Sequence, residues 1–203
     1  MPRPKSFDHA AAIETAMQEI WRNGYQASSV NALSKELGIT RSSYYNAFGS
    51  REGLLREVLD HYLSQSPDRV LHGEPPASPV LTLLTDTFRE ICTVRARDPG
   101  HRGCLAVNCI AELADRNTEL GAFLVSAVST SAARFTQLLD IAVDRGELPA
   151  GTDTHAQGLA LQNLLMGINI FAKALHDEAE LWMVAKTTLE GLGLYKEHPN
   201  AQL

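Results

Sequence analysis

The sequence predicts an all-α protein of about nine helices, because almost every segment repeats its apolar residues at the helical period. No run alternates apolar and polar residues as a half-buried strand does. Of the 203 residues, 44% are hydrophobic and only 6% are aromatic, a composition that can fill a core without disorder. No stretch reaches the roughly 18 uninterrupted apolar residues that a membrane span requires, so no membrane association is expected.

The first four helices are each bounded by a residue that starts or stops a helix. Serine or threonine can cap an N-terminus, because the hydroxyl accepts a hydrogen bond from a backbone N–H of the first turn. Glycine ends a helix readily, since it takes the left-handed backbone conformation that follows. The caps of the second to fourth helices are Ser28 or Ser29, Thr40 and Ser50, and the glycines that end the first three are Gly24, Gly38 and Gly49.

Five further helices are predicted in the rest of the chain. The segment 65–77 contains three prolines and is predicted to be a loop. A fifth helix then starts at Ser78-Pro79, where serine supplies the cap, and runs to about Arg97. The remaining four are predicted at about 104–116, 118–145, 152–176 and 178–195.

The eighth and ninth helices are predicted to form a homodimer interface. The eighth is apolar nearly all round, which indicates burial on two sides. Gly158 and Gly167 inside it each cost about 1 kcal/mol of helix propensity, which is tolerable if a neighbouring helix approaches closely. A monomeric bundle core is the alternative, because periodicity alone cannot separate the two arrangements.

Charge is distributed unevenly along the chain. The formal net charge is −6, yet residues 1–51 carry six Lys/Arg against four Asp/Glu, whereas residues 52–203 carry twelve against twenty. A polyanionic partner must therefore meet the N-terminal quarter. We accordingly divide the chain into an N-terminal domain, residues 1–50, and a helical C-terminal domain, residues 51–203.

The N-terminus and the cysteines both indicate a cytoplasmic protein. The basic segment 1–5 runs into Asp8 and His9 and not into an apolar segment, so no secretory signal is readable. Cys92, Cys104 and Cys109 are an odd number of cysteines at no metal-like or disulfide-like spacing, which fits free thiols in a reducing compartment.

Residues 28–48 are predicted to form the helix-turn-helix arrangement, whose second helix can enter the major groove of DNA. Such a helix must be polar at its N-terminus, where base edges are reached, and apolar where it packs on its neighbours. Arg41, Ser42 and Ser43 meet the first requirement, and Tyr44 and Phe48 meet the second. Arg41 can donate two hydrogen bonds to guanine O6 and N7.

Further side chains of this segment could contact phosphate. Asn46 could face the groove or a phosphate, and Tyr45 is better placed for a phosphate than for the core. The helix N-termini at Ser29, Thr40 and Ser50 offer backbone N–H groups, which position a duplex without reading its sequence. A purely structural helical hairpin is the alternative, because any such hairpin can carry glycine and hydroxyl caps.

The run 28–55 resembles the N-terminal domain of TetR-type (tetracycline-repressor-like) transcriptional regulators, and the likeness spans about residues 7–60. It rests on the Gly24-Tyr25 break, the Leu37-Gly38-Ile39 turn and the Phe48-x-Ser50-Arg51-Glu52 junction. The resemblance implies a homodimer that binds a palindromic operator in double-stranded DNA, usually as a repressor released by a small molecule. It gives Tyr45 and Arg51 phosphate roles, and groove-facing roles to Thr40, Arg41 and Ser43.

Three residues depart from the family pattern. Ser34 replaces the usual Ala, Tyr44 replaces the usual Leu or Ile, and Ala47 replaces a common His. The last change removes a DNA contact that the family pattern implies, so the operator sequence cannot be carried over.

A small-molecule sensor of this kind needs a cavity within helices five to eight. Aromatic and apolar residues that could line it are Phe88, Phe123, Phe135, Met166 and Phe171. Plain core is the alternative for all of them, because apolar residues at helical spacing usually pack together.

Cys104 is a sharper candidate for a sensor residue. Arg102 and a helix N-terminus beside it would lower the thiol pKa from about 8.5 into the range of about 3.5 to 7.5, so that it reacts with electrophiles or oxidants. The run Gly103-Cys104-Leu105-x-x-Asn108 also resembles one in a TetR-type subgroup that contains thiol-based sensors of electrophiles. The alternative is that Cys104 is a small buried hydrophobic residue.

Two other classes of function compete with this interpretation. An enzyme is not expected, because no catalytic or phosphate-binding motif is present and the seven histidines are dispersed. No cofactor or metal is expected for the same reason. A helical ligand-binding or scaffold protein that has lost DNA contact is favoured by the acidic net charge and by Ala47.

Overall fold

The computed structural model describes residues 8–74, 77–116 and 118–197. Within this part of the chain it contains nine α-helices and no β-strand, which confirms the all-α prediction. The helices are α1 (His9–Asn23), α2 (Val30–Glu36), α3 (Arg41–Phe48), α4 (Arg51–Gln65), α5 (Val80–Ala96), α6 (Leu105–Leu113), α7 (Glu119–Asp144), α8 (Thr154–Phe171) and α9 (Glu178–Gly191).

Several elements differ from their predicted extents: α6 ends at Leu113, about three residues early, and α9 ends at Gly191, about four residues early. A 3-10 helix, Pro67–Leu71, lies in the segment predicted as loop, and Pro67 favours it because its fixed φ suits the first helical position. Residues 75 and 76 of the same segment lie outside the described residues. α8 ends about five residues earlier than predicted. The chain becomes extended at Asp177, because the side chain of this residue caps α9 by accepting a hydrogen bond from the Glu180 N–H.

The N-terminus of α5 is capped by a distant carboxylate and not by the predicted serine. No side chain of the preceding residues caps this helix. Glu147, which follows α7, accepts hydrogen bonds from the backbone N–H of Val80 at 2.9 Å and of Leu81 at 3.0 Å. A negative charge at this end also interacts favourably with the helix dipole.

Contacts divide the chain into two compact units, residues 1–65 and 66–203. α1 to α4 form the first, with side chains of all four helices buried in its core: Ile20, Leu33, Tyr44 and Leu54. Full burial of such a side chain stabilises the fold by about 1.5 to 3 kcal/mol. By packing, this unit extends beyond the predicted boundary at residue 50, because α4 lies against α1.

The second unit packs α5, α7, α8 and α9 around one apolar core. Phe88 of α5 stacks on Phe135 of α7, with ring centroids 6.3 Å apart. α8 approaches α7 so closely that a Cβ atom at Gly158 would lie 2.9 Å from the backbone nitrogen of Thr136. The contact explains the glycine at position 158, whereas a Cβ at Gly167 would meet no described atom within 4 Å.

Tyr44 brings a polar atom into the core of the first unit. Its side chain is fully buried, and its hydroxyl has no hydrogen-bond partner among the described residues. Burial raises the pKa of Tyr44 to about 12, and the charge of Tyr25 adds to the effect. The Leu or Ile that the family pattern has at this position would bring no hydroxyl into the core.

Substitution of Tyr44 by Phe should raise the free energy of unfolding by about 1 kcal/mol at pH 7, because it removes a desolvated hydroxyl and keeps the ring. The raised pKa also means that the unfolded chain releases the Tyr44 proton at lower pH than the folded protein, so wild-type stability falls as the pH rises from about 10 to about 12. Tyr44→Phe should therefore lose less stability at alkaline pH than the wild type.

Urea unfolding of Tyr44→Phe at neutral and alkaline pH measures both effects. Tyr45→Phe is the matched control, because the Tyr45 side chain is exposed and its hydroxyl should contribute little. A Tyr44→Phe protein less stable than the wild type would show that the hydroxyl has a stabilising partner.

Candidate nucleic-acid interface and effector site

α3 is held in place by its cap and by two buried aromatic side chains. The Thr40 hydroxyl accepts from the Ser43 N–H at 3.1 Å and lies 2.9 Å from the Ser43 hydroxyl. Tyr44 and Phe48 point into the core, where their rings meet edge to face at 5.2 Å. Gly49 ends the helix at a φ of 68°, which glycine adopts without strain.

The exposed surface of α3 carries the predicted DNA contacts. The exposed side chains of this helix are Arg41, Ser42, Ser43, Tyr45 and Asn46. Arg41 makes no hydrogen bond or ion pair with any described residue, so its five donors are available to a ligand. α3 carries no acidic residue, which makes this surface compatible with a polyanion.

Two more predicted contacts lie at helix N-termini. Ser29 is exposed and caps α2, where its hydroxyl accepts from the Ala32 N–H at 3.2 Å. Ser50 caps α4 by accepting from the Gly53 N–H at 2.9 Å. These bonds use the hydroxyl as an acceptor and leave its own proton free to donate to an anion.

Arg51 has internal partners that the resemblance did not indicate. Its Nε donates to the Ser28 carbonyl at 3.0 Å, and its Nη2 donates to the carbonyls of Tyr25 and Gln26. The guanidinium carbon also lies 4.0 Å from the centroid of the Tyr25 ring. The side chain therefore binds the connection between α1 and α2 and does not extend freely into solvent.

Cys104 is buried and lies at the N-cap of α6, with 7% of its surface exposed. Arg102, its expected cationic neighbour, forms an ion pair with Asp98 at 2.7 Å. Burial raises the pKa of Asp98, but the hydrogen bonds and charge of Arg102 outweigh it and hold that pKa below its usual value. The arginine charge is therefore shared with a carboxylate and is not reserved for the thiol.

Asn108 connects the start of α6 to the residues after α8. Its Nδ2 donates to the Arg102 carbonyl at 2.8 Å, and its Oδ1 accepts from the Lys173 ammonium at 3.1 Å. Gly103 lies in the same junction, where a Cβ would come within 2.4 Å of the Asn169 carbonyl oxygen. This close contact accounts for the glycine that precedes the cysteine.

The other two thiols lie in apolar surroundings. Burial raises the pKa of Cys92 and of Cys109 to about 12, with a further contribution from Glu178 and Glu112 respectively. Thiols of this kind stay protonated and unreactive at neutral pH.

The predicted cavity residues differ widely in their exposure. Phe135 is 2% exposed and stacks on Phe88 in the core, whereas Phe171 is 45% exposed at the end of α8. Phe123 and Met166 are half-buried. A cavity lined by these residues stays a prediction.

A buried polar pair in the second unit was missed by sequence reasoning. Arg95 of α5 is 3% exposed, and its Nε donates to the Asn169 side chain of α8 at 2.5 Å. The Asn169 amide in turn donates to the Leu165 carbonyl at 2.8 Å. The available signal was the position of Arg95, four residues after the buried Ile91 on the same helical face.

Neither a membrane-spanning helix nor a metal site is found among the described residues. No helix there is long and apolar enough to cross a bilayer. No group of three or more His, Cys, Asp or Glu residues in that part of the chain could hold a metal ion.

The chain matches known protein families over both of its units. Residues 12–58 match the family described as bacterial regulatory proteins, tetR family, and residues 81–188 match the tetracyclin repressor-like C-terminal domain. The HTH-type transcriptional repressor ComR of Escherichia coli (strain K12) is 29% identical over 190 residues, which cover 92% of this chain and 90% of ComR.

Solved structures give the same result. A cysteine mutant of the TetR family transcriptional regulator CifR, complexed with 26-bp operator DNA, is 30% identical and has a TM-score of 0.78. The match covers 93% of this chain and 98% of the CifR chain. A TetR family regulator from Cytophaga hutchinsonii has the same fold at 16% identity, with a TM-score of 0.75. The chain therefore belongs to the TetR family of bacterial transcriptional regulators.

Proposed function

We propose that this protein is a homodimeric repressor that binds a palindromic operator through α3 and leaves it when an effector acts on the second unit. The observation that carries the proposal is the polar exposed surface of α3, where Arg41 has no partner among the described residues. Such a protein acts where the chromosome lies, which places it in the cytoplasm. Its family membership makes the enzyme alternative untenable.

In the proposed complex the N-terminus of α3 enters the major groove. Arg41 donates two hydrogen bonds to a guanine, and Ser42, Ser43 and Thr40 lie close to base edges. Tyr45 and Asn46 contact the sugar–phosphate backbone and fix the register of the helix. The N-termini at Ser29 and Ser50 add backbone N–H groups for two further phosphates.

An apolar exposed surface on the last two helices supports the dimer. Leu159 and Ile170 of α8 are 51% and 46% exposed, and Met183 and Val184 of α9 are 63% and 40% exposed. Several exposed apolar side chains on neighbouring helices are typical of a subunit interface. Gly167 lies on the exposed side of α8 and would let a partner helix approach closely.

Electrophile modification of Cys104 is a second, narrower proposal for release. The backbone N–H groups of the first turn of α6 face its position, and no side chain caps them. An adduct on this thiol would add volume to a packed junction. The residue that responds would be Cys104, with Asn108 fixing the segment around it.

Removal of the Arg41 guanidinium should weaken operator binding by about tenfold to a hundredfold, because a bidentate contact to guanine contributes about 1 to 3 kcal/mol. DNA fragments recovered by the purified protein would supply the operator, and its dissociation constant would be measured for Arg41→Ala. Arg22→Ala is the control, since Arg22 is exposed on α1 and pairs with Glu19 at 3.8 Å.

Wild-type affinity should also fall steeply with salt, as phosphate contacts require. A wild type that recovers no DNA would favour the scaffold alternative, and an Arg41→Ala protein that binds as tightly as the wild type would remove α3 from the interface.

A charge placed on the exposed surface of α9 should dissociate the dimer. Val184→Glu buries a carboxylate in the proposed interface, so we expect a monomer by analytical ultracentrifugation and weaker operator binding. Val125→Glu is the matched control, because Val125 is 49% exposed on α7. A Val184→Glu protein that stays dimeric would exclude this surface as the interface.

Treatment with a quinone or a dicarbonyl should release the wild type from its operator and leave Cys104→Ser bound. Mass spectrometry of the released protein should place the adduct on Cys104, while Cys109→Ser, which changes a deeply buried thiol, should respond as the wild type does. Release of Cys104→Ser at the same reagent concentration would exclude the thiol mechanism without affecting the DNA-binding proposal.

A further inference from the structure

Arg51 joins the two ends of the helix-turn-helix segment. Ser28, which accepts its Nε–H, lies two residues before α2, and Arg51 itself is the first residue of α4 after the turn that follows α3. The two residues are 23 positions apart in sequence. One guanidinium therefore closes a loop that contains all of α2 and α3.

Most of the N–H donors of the Arg51 guanidinium take part in this contact. Three of its five donors bind the carbonyls of Tyr25, Gln26 and Ser28, and the plane of the group lies over the Tyr25 ring. Tyr25 is itself fixed, since it is 6% exposed. A planar fork with delocalised charge can make all these contacts at once, which an ammonium group cannot.

The position of this residue is unfavourable for the helix that carries it. A cation in the first turn of α4 opposes the helix dipole, so the charge does not serve helix stability. Three carbonyl oxygens offset that effect, because each presents partial negative charge to the guanidinium. An arginine at this position is explained if its side chain stabilises the connection between α1 and α2.

We propose that Arg51 is a positioning residue that fixes the recognition helix by clamping both ends of the helix-turn-helix, and that it does not bind phosphate. The proposal rests on the DNA-binding function proposed above. Without the clamp, the α1–α2 connection and the α3–α4 junction move independently, and α3 samples orientations that do not fit the groove. Operator binding then loses affinity although no DNA contact has been removed.

Comparison of Arg51→Lys with Arg51→Met separates the two roles. Lysine keeps the charge and most of the stem but loses the fork, so both variants should bind the operator about tenfold more weakly than the wild type. Affinity is measured at a temperature where circular dichroism shows both variants folded. Arg22→Met, which removes an exposed charge from α1, is the control for net charge.

The slope of log affinity against log salt gives the second readout. A phosphate contact contributes about 0.9 to this slope. The clamp predicts wild-type slopes for both variants, whereas a phosphate role predicts near wild-type affinity for Arg51→Lys and a slope reduced by about 0.9 for Arg51→Met. The second pattern would overturn the proposal, and so would wild-type affinity in both variants.

A third measurement needs no variant. In the full-length protein without DNA, the Arg51 Nε–H should exchange slowly with solvent by NMR, because it is bonded to the Ser28 carbonyl. Fast exchange of this proton would overturn the clamp even if the variants failed to fold. A wild type that binds no DNA would instead contradict the proposed function, so the two failures can be told apart.

Discussion

Burial of Tyr44 and Phe48 fixes the orientation of α3 in the first unit. The two rings lie one helical turn apart and pack edge to face in the core of the first unit. Because side chains four apart share one face of a helix, anchoring this face turns the intervening residues outward. Thr40 and Arg41, at the polar N-terminus of the helix, are also exposed. The proposed DNA contacts therefore depend on an apolar contact that never touches DNA.

The second unit is built on long-range polar contacts as well as on its apolar core. Glu147 caps α5 from the far end of α7, and Glu178 at the start of α9 accepts from Thr93 of α5 at 2.8 Å. Arg95 and Asn169 bond to each other inside the same bundle. Buried polar groups cost stability unless their partners are in place, so each of these bonds specifies one arrangement of the helices.

The parts of this structure that sequence could predict are those set by neighbours along the chain. The caps Ser29, Thr40 and Ser50 and the face of α3 follow from spacings of three or four residues. The Glu147 cap and the Arg51 contacts join residues 67 and 23 to 26 positions apart, which no local rule reports. The cavity stays a prediction for a related reason, because helical spacing shows that a residue is apolar and not which neighbours it meets.

Arginine acts in this chain both as a source of net charge and as a donor of specific hydrogen bonds. The N-terminal quarter has only two more basic than acidic residues. Three donors of Arg51 already bind backbone carbonyls. The contacts proposed for hydroxyls and helix N-termini act at short range and add to the attraction between charges. Such contacts form only when both recognition helices meet the groove together. An acidic chain of this design would therefore be sensitive to dimer geometry, which is what release by an effector requires.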